Sequence, residues 1–386
     1  MKKGWQTKKL REVCELVNGR AYSKSELLAA GKYRVLRVGN FFTNDHWYYS
    51  DMELEEKKYC DTGDLLYAWS ASFGPRMWTG GKVIYHYHIW KVVHDSTQID
   101  QKFLFYFFQW DTEKIKEDQG TGTTMMHVSM GSMNERDIDL PPLAEQQRIV
   151  GLLDEAFEGL ATAKANAEKN LQNARALFES HLQSVFAQRG PGWVEKRLGE
   201  ALVKTETTDP TRSPQTEFDY IDVSSVSKET LAIQETQRLQ GKDAPSRARK
   251  LVRTNDVIFA TIRPTLRRIA IVPDELDSQV CSTGYFVLRA KPDMDHRLVF
   301  YFLQTETFMT AMETLQKGAS YPAVTDGDVR LQTIPIPPLN EQKTIAAKLE
   351  SLRKETQRLT RLYEQKHVAL EALKKSLLHQ AFTGEL

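Results

Sequence analysis

Cysteine is scarce in this chain. Cys14, Cys60 and Cys281 are odd in number and far apart along 386 residues. They form neither a disulfide framework nor a zinc-ligand spacing, so a reducing cytoplasm is the expected compartment. No run of eighteen apolar residues occurs, which excludes a membrane-spanning helix. The opening "MKKGWQTKKL" is basic but has no apolar stretch behind it, and so does not read as a secretion signal. Charge of one sign is lacking too. Lys and Arg number 52 against 51 Asp and Glu, so any nucleic-acid site has to come from local clustering. Catalytic signatures are missing as well. There is no Walker A loop, no G-x-G-x-x-G and no Asn-Pro-Pro-aromatic tetrapeptide. His86 and His88 in "HYHIWKVVH" would share one face if the segment were a single strand, but no third ligand stands at useful spacing, and no metal site is expected.

What the chain has is itself, twice. "PPLAEQQRIVGLLDEAF" from Pro141 and "PPLNEQKTIAAKLESLR" from Pro337 share seven of seventeen residues. The match runs on through "ALFESHLQSVF" at Ala176 and "ALKKSLLHQAF" at Ala372. Upstream, "GWQTKKLRE" matches "GWVEKRLGE", "YRVLRVGN" resembles "FDYIDVSS", "GDLLYA" matches "NDVIFA", and "LFYFFQ" matches "VFYFLQ". The order is the same in both halves. Two copies of this size predict a pseudo-two-fold molecule; a solenoid needs more and shorter repeats. The boundaries read as domain 1–140, helix 141–190, domain 191–336 and helix 337–386.

Each Pro-Pro sits where a helix can start without loss of a bonded N–H, and Glu145 and Glu341 fall in the first turn, where the helix dipole favours them. Downstream, apolar residues step by three and four. The seam runs Ile149, Leu153, Ala156, Leu160, Ala163, Ala167, Asn170, Ala174 and Leu177. The second helix gives Ile345, Leu349, Leu352, Thr356, Leu359, Tyr363, Lys366, Leu370, Leu373 and Leu377. Such a period predicts an antiparallel coiled coil, with Asn170 near Thr356. A helix of about 45 residues is roughly 67 Å long, which reads as a spacer. The variable domains alternate short strands with short helices. The fold class is therefore α+β: two β-rich domains in pseudo-two-fold repeat, separated by two long helices that form an antiparallel coiled coil.

Basic residues cluster locally. From Arg238 to Arg268 nine basic side chains face two acids, Asp243 and Asp256. Arg247, Arg249, Lys250, Arg263, Arg267 and Arg268 are the candidates there. Leu65 to His94 contains no acid, and sets Arg76, Lys82 and Lys91 among Trp69, Phe73, Trp78, Tyr85, Tyr87 and Trp90. Arg76 and Lys82 are the candidates in that stretch. Such side chains bind phosphates, and arginine forks also read guanine. The Gly-small loops "GTT" and "GAS" add Thr123, Thr124, Ser320 and Tyr321 as further candidates.

The two "PPL-x-EQ" helix starts, the two "GW-x-x-K-[KR]-L-x-E" domain starts, "VLRVGN"/"YIDVSS" and the terminal "FTGEL" resemble the specificity subunit of type I restriction–modification enzymes. The resemblance spans the whole chain in the family's order. It implies a subunit without chemistry, each recognition domain reading one half of a split, asymmetric site in double-stranded DNA. It implies two modification subunits docked on the helices, methylating adenine from S-adenosylmethionine. Two motor–nuclease (restriction) subunits can join them, with ATP and Mg on those partners and no cofactor on this chain. Glu145, Gln146, Glu341 and Gln342 are the expected partner contacts. The competing reading is a coiled-coil scaffold that binds proteins and not DNA.

Overall fold

The computed structural model describes residues 4–42, 44–70, 73–119 and 127–386. The chain divides into two compact units. One comprises Met1–Glu168 with Gln365–Leu386, the other Lys169–Glu364, so the division falls inside both long helices.

The first unit holds two four-stranded sheets. One is antiparallel throughout and runs Cys14–Asn18, Ile89–His94, Leu65–Ala68, Gly74–Met77 in space. The other runs Tyr48–Ser50, Tyr33–Leu36, Val83–Tyr85, Tyr59–Cys60, with its central pair parallel. The second unit repeats the design. Its first sheet runs Leu202–Val203, Tyr285–Ala290, Val257–Ala260, Ile269–Ile271. Its other sheet is Gln237–Gln240, Glu217–Ile221, Val280–Ser282, Ala248–Leu251, again with a parallel central pair.

The matched "GDLLYA" and "NDVIFA" runs explain why each unit has two cores. Every residue of Leu65–Ala68 and Val257–Ala260 is buried, and successive side chains leave a strand on opposite faces. Val257 and Phe259 enter the core that contains Leu298, Phe302 and Leu349, whereas Ile258 and Ala260 enter the one with Ile221, Val272 and Tyr285. Leu65 and Tyr67 part in the same way from Leu66 and Ala68. Burying each large side chain contributes about 1.5–3 kcal/mol, so an apolar run without alternation is what a strand shared by two cores requires.

A two-stranded ribbon joins the ends of each variable region: Gln6–Lys9 pairs with Asp137–Leu140, and Val194–Arg197 with Thr333–Ile336. The prolines follow at once, and the long helices are Leu143–Ala187 and Leu339–Thr383. Gly384, at φ 77°, takes the left-handed conformation that ends the second helix. The packed helix beside each sheet differs between units. In the first it is unbroken, Gln101–Gln119. In the second it splits into His296–Phe302 and Glu306–Leu315, because Thr305 turns its hydroxyl onto the N–H of Phe308 and caps a new helix.

Within each unit the long helices lie antiparallel. In the first, Lys164 pairs with Glu371 at 2.7 Å, and Glu168 lies 3.7 Å from His367. In the second, Arg175 reaches Glu364 at 3.1 Å. Most of the expected seam turns inward, from Ile149 to Ala167 and from Ile345 to Tyr363, but at four places the inward residue is the next one along. Asn170, Leu177, Lys366 and Leu373 are exposed, while Leu171, Phe178, His367 and Lys374 turn inward. A straight helix drifts about 20° per heptad from a strict 3.5-residue repeat, and that drift moves the inward stripe to the next residue. The expected Asn170–Thr356 pair is therefore absent: Asn170 faces solvent, and the buried Thr356 hydroxyl bonds to the carbonyls of Leu352 and Arg353.

Candidate nucleic-acid interface

In the second unit the strand Val257–Ala260 leads into the loop that carries three of the candidate arginines. Thr261 is buried and donates through N–H and hydroxyl to the carbonyl of Gly284. Ile262 bridges to Ala323, and the N–H of Arg263 meets the carbonyl of Pro322 at 2.7 Å. One 3-10 turn, Pro264–Leu266, follows. Arg263 and Arg267 flank it, both left-handed, at φ 49° and 53°. For a residue with a Cβ that conformation costs about 1–2 kcal/mol.

The facing turn brings in Ser320 and Tyr321. Lys317 and Ala323 exchange two backbone hydrogen bonds of 2.9 Å and close it. Gly318 stands at φ 102°, where a Cβ would come within 2.9 Å of the Tyr321 carbonyl. Ser320 is exposed and Tyr321 is 72% exposed. The Arg263 guanidinium lies over the Tyr321 ring, 5.2 Å from its centroid, and one nitrogen is 3.4 Å from the Ser320 carbonyl.

The other basic candidates of this unit fall into two groups. Arg247 is exposed, and no bond from its side chain is found among the described residues. Arg249 is half-buried, donating to the Ala248 carbonyl and lying 3.5 Å from Asp209. Arg267 pairs with Glu306 at 2.7 Å. Lys250 and Arg268 correct the expectation. The Lys250 ammonium donates to the Tyr285 carbonyl at 2.5 Å and to Asp326 at 2.8 Å, inside the fold. Arg268 donates to the carbonyls of Val223, Ser224 and Val226. Both hold loops of this chain: the Lys250 ammonium is turned into the fold, and Arg268, half-buried, spends one guanidinium nitrogen on the three carbonyls.

In the first unit Arg76 donates to the Phe41 carbonyl, and Lys82 pairs with Glu56 at 3.0 Å while covering the Tyr59 ring. Both are exposed. Thr123 and Thr124 lie outside the described residues. A cluster that the basic-residue count overlooked stands beside Leu65–Ala68. Trp69 donates to the Tyr87 carbonyl at 2.7 Å, and its ring lies 4.9 Å from His88 and 6.1 Å from His127. His86 is 4.8 Å from His88. The expected single strand here is two, Val83–Tyr85 and Ile89–His94, with Tyr87 and His88 in the turn between them. The two histidines come together through that turn and not through strand alternation. Burial lowers the pKa of His86 to about 4, helped by His88 and Arg37, and burial also lowers that of His88. These rings, with Arg37 exposed nearby, form an aromatic surface that can stack on bases and accept or donate single hydrogen bonds. No group of three metal-ligating side chains occurs among the described residues.

The repeated helix starts serve the fold from within. Gln146 is fully buried. Its amide donates to the carbonyls of Gln98 and Pro141 and accepts from the N–H of Asp100 at 2.8 Å. Gln342 does the same with the carbonyls of Asp293 and Pro337 and the N–H of Asp295. Asp100 and Asp295 each cap the packed helix that follows. The expected partner contacts through Gln146 and Gln342 are thus corrected: these amides have no surface to offer. Glu145 is bidentate with Arg148 at 2.7 and 2.8 Å, and Glu341 accepts from the Trp193 indole at 3.0 Å.

The chain is thus a duplicated α+β module, each copy followed by a long helix, with an aromatic and histidine cluster in the first copy and an arginine–tyrosine pair in the second. The chain belongs to the family described as the type I restriction modification DNA specificity domain, whose model matches residues 2–171 and again 192–368. Among curated proteins it is similar to the type I restriction enzyme EcoDI specificity subunit of Escherichia coli, 24% identical over 84% of this chain and 78% of that one. It is likewise similar to the MjaVIII specificity subunit of Methanocaldococcus jannaschii, 24% identical over 84% of this chain and 79% of the other. A solved structure, reported for complex assembly and conformational transition of the type I R-M system, shares the fold with a TM-score of 0.77. It is 19% identical and covers 100% of this chain and 99% of its own.

Proposed function

We propose that this chain is the non-catalytic specificity subunit of a type I restriction–modification complex. Each unit reads one half of a bipartite, asymmetric site in double-stranded DNA, and the long helices dock two modification subunits. Those partners hold S-adenosylmethionine and methylate adenine. Two restriction subunits holding ATP and Mg complete a cleaving form, and the complex works in the cytoplasm. The observation that carries this reading is the double match to the specificity-domain family, with the same glutamine joint in each copy. Two equivalent readers on two equivalent docks suit two equal enzymes acting on two half-sites. The exposed tyrosine and arginine beside the second unit's central strand support DNA over a protein ligand.

The test is to express the chain with its modification subunit and sequence the methylated adenines. A split motif with a fixed gap is expected, and exchanging residues 193–336 for those of a relative changes one half alone. The chain purified by itself transfers no methyl group. A continuous motif, a swap that rewrites both halves, or methyl transfer by the isolated chain overturns the reading.

A further inference from the structure

Two arginines of the second unit hold a left-handed backbone, and only one has a side chain the fold uses. Arg267 is paired with Glu306. Arg263 is exposed, and among the described residues its side chain meets the exposed Tyr321 ring and, at 3.4 Å, the Ser320 carbonyl. Glycine or asparagine would fill that backbone with less strain. A strained position kept by a residue with no internal role is where function is to be sought. The presentation is rigid on both sides. The Ile262–Ala323 bridge, the Arg263–Pro322 hydrogen bond and the closed turn 317–323 fix the two segments to each other. Tyr321 is the most exposed of the large apolar and aromatic side chains that face solvent among the described residues.

We infer that Arg263 and Tyr321 act as one base-reading unit: Arg263 recognises a guanine of the half-site read by the second unit, and the Tyr321 ring holds the guanidinium in place. The inference rests on the proposed DNA-recognition function. An arginine fork matches guanine O6 and N7 in the major groove. A ring under its face fixes the plane of the fork by cation–π attraction and covers one side from water. The pairing therefore predicts that the two residues govern the same base.

The test uses the complex with its modification subunit, in cells, with methylated adenines mapped by sequencing. Arg263→Ala relaxes one guanine position and lowers discrimination there roughly 10- to 100-fold. Arg263→Lys relaxes the same position, because an ammonium lacks the fork. It also keeps charge and backbone demand, so this relaxation is not a folding defect. Tyr321→Phe leaves the motif unchanged, and Tyr321→Leu relaxes the position that Arg263→Ala relaxes. A uniform loss over all sequences in Arg263→Ala would make the contact one to phosphate and overturn the inference. So would Tyr321→Leu acting on another position or on none. If the unsubstituted complex gives no methylated motif, it is the proposed function that fails, and the control shows it.

Discussion

The side-chain oxygen of Gln342 accepts the backbone N–H of Asp295 at 2.8 Å, as that of Gln146 accepts the N–H of Asp100. In both cases the amide nitrogen spans two carbonyls, one on the loop before the packed helix and one on the first proline. Replacing either glutamine by leucine takes the partner from three backbone groups, of which the proline carbonyl is buried in both copies and the loop carbonyl lies nearer the surface. At about 1–3 kcal/mol per unsatisfied group, partly relieved by relaxation, each variant is expected to lose about 2–4 kcal/mol. Urea unfolding of the chain carrying Gln146→Leu or Gln342→Leu measures it. Equal stability to the unsubstituted chain would show that the joint does not hold the helix.

Lys250 and Arg268 separate stability from readout. Lys250 donates to a carbonyl and a carboxylate of this chain, and one guanidinium nitrogen of Arg268 donates to three of its carbonyls. Arg268→Met is expected to cost about 1–3 kcal/mol and to leave the methylated motif as it was. Thermal unfolding and the methylation map together check this, and a changed motif at normal stability would return Arg268 to the DNA surface.

Arg289 grips Asp256 with two bonds of 2.8 Å, while Asp256 is 1% exposed. Removing the arginine leaves a buried carboxylate with the N–H of Arg253 as its remaining bond. Arg289→Ala is expected to destabilise the second unit by about 3–5 kcal/mol. Calorimetry reads the loss, and a shift of under one kcal/mol would mean that water replaces the guanidinium.

His86 gives the first unit a pH dependence of known sign. Burial holds its pKa at about 4, against 6.5 for the ordinary side chain, and His88 and Arg37 push in the same direction. The unfolded chain therefore binds the proton more readily. Stability from this group is complete above about pH 6.5 and is lost as pH falls towards about 4. Denaturant midpoints measured between pH 7 and 4.5 are expected to fall less steeply in His86→Asn than in the unsubstituted chain. Identical slopes would place His86 in contact with water.

How far the sequence was legible depended on the length of chain over which a pattern acts. The repeat, the helix starts at Pro141 and Pro337 and the buried strands Leu65–Ala68 and Val257–Ala260 follow from local spacing, and local spacing is what sets them. The helix seam was read correctly over most of its length and slipped by one residue at Asn170, Leu177, Lys366 and Leu373, because a heptad template ignores the drift of a real helix. The histidine pair was read as one strand face because alternation does not reveal a tight turn. Charge counting found Arg263, but it could not separate it from Lys250 and Arg268. Only the packing shows which basic groups face inward. The meeting of Arg263 with Tyr321 depends on the Ile262–Ala323 bridge, a contact between segments that no local pattern links.

The hydrogen bonds of the two glutamine joints all go to main-chain atoms. Every residue type offers the same carbonyl, and every type except proline the same N–H. A loop that keeps its path can change its side chains without losing these hydrogen bonds. The joint is thus indifferent to sequence where it grips the loop, whereas the packed helix still meets the rod through side chains, Tyr106 on Asp154 and Tyr301 on Glu350, and a grafted recognition region has to bring those contacts with it.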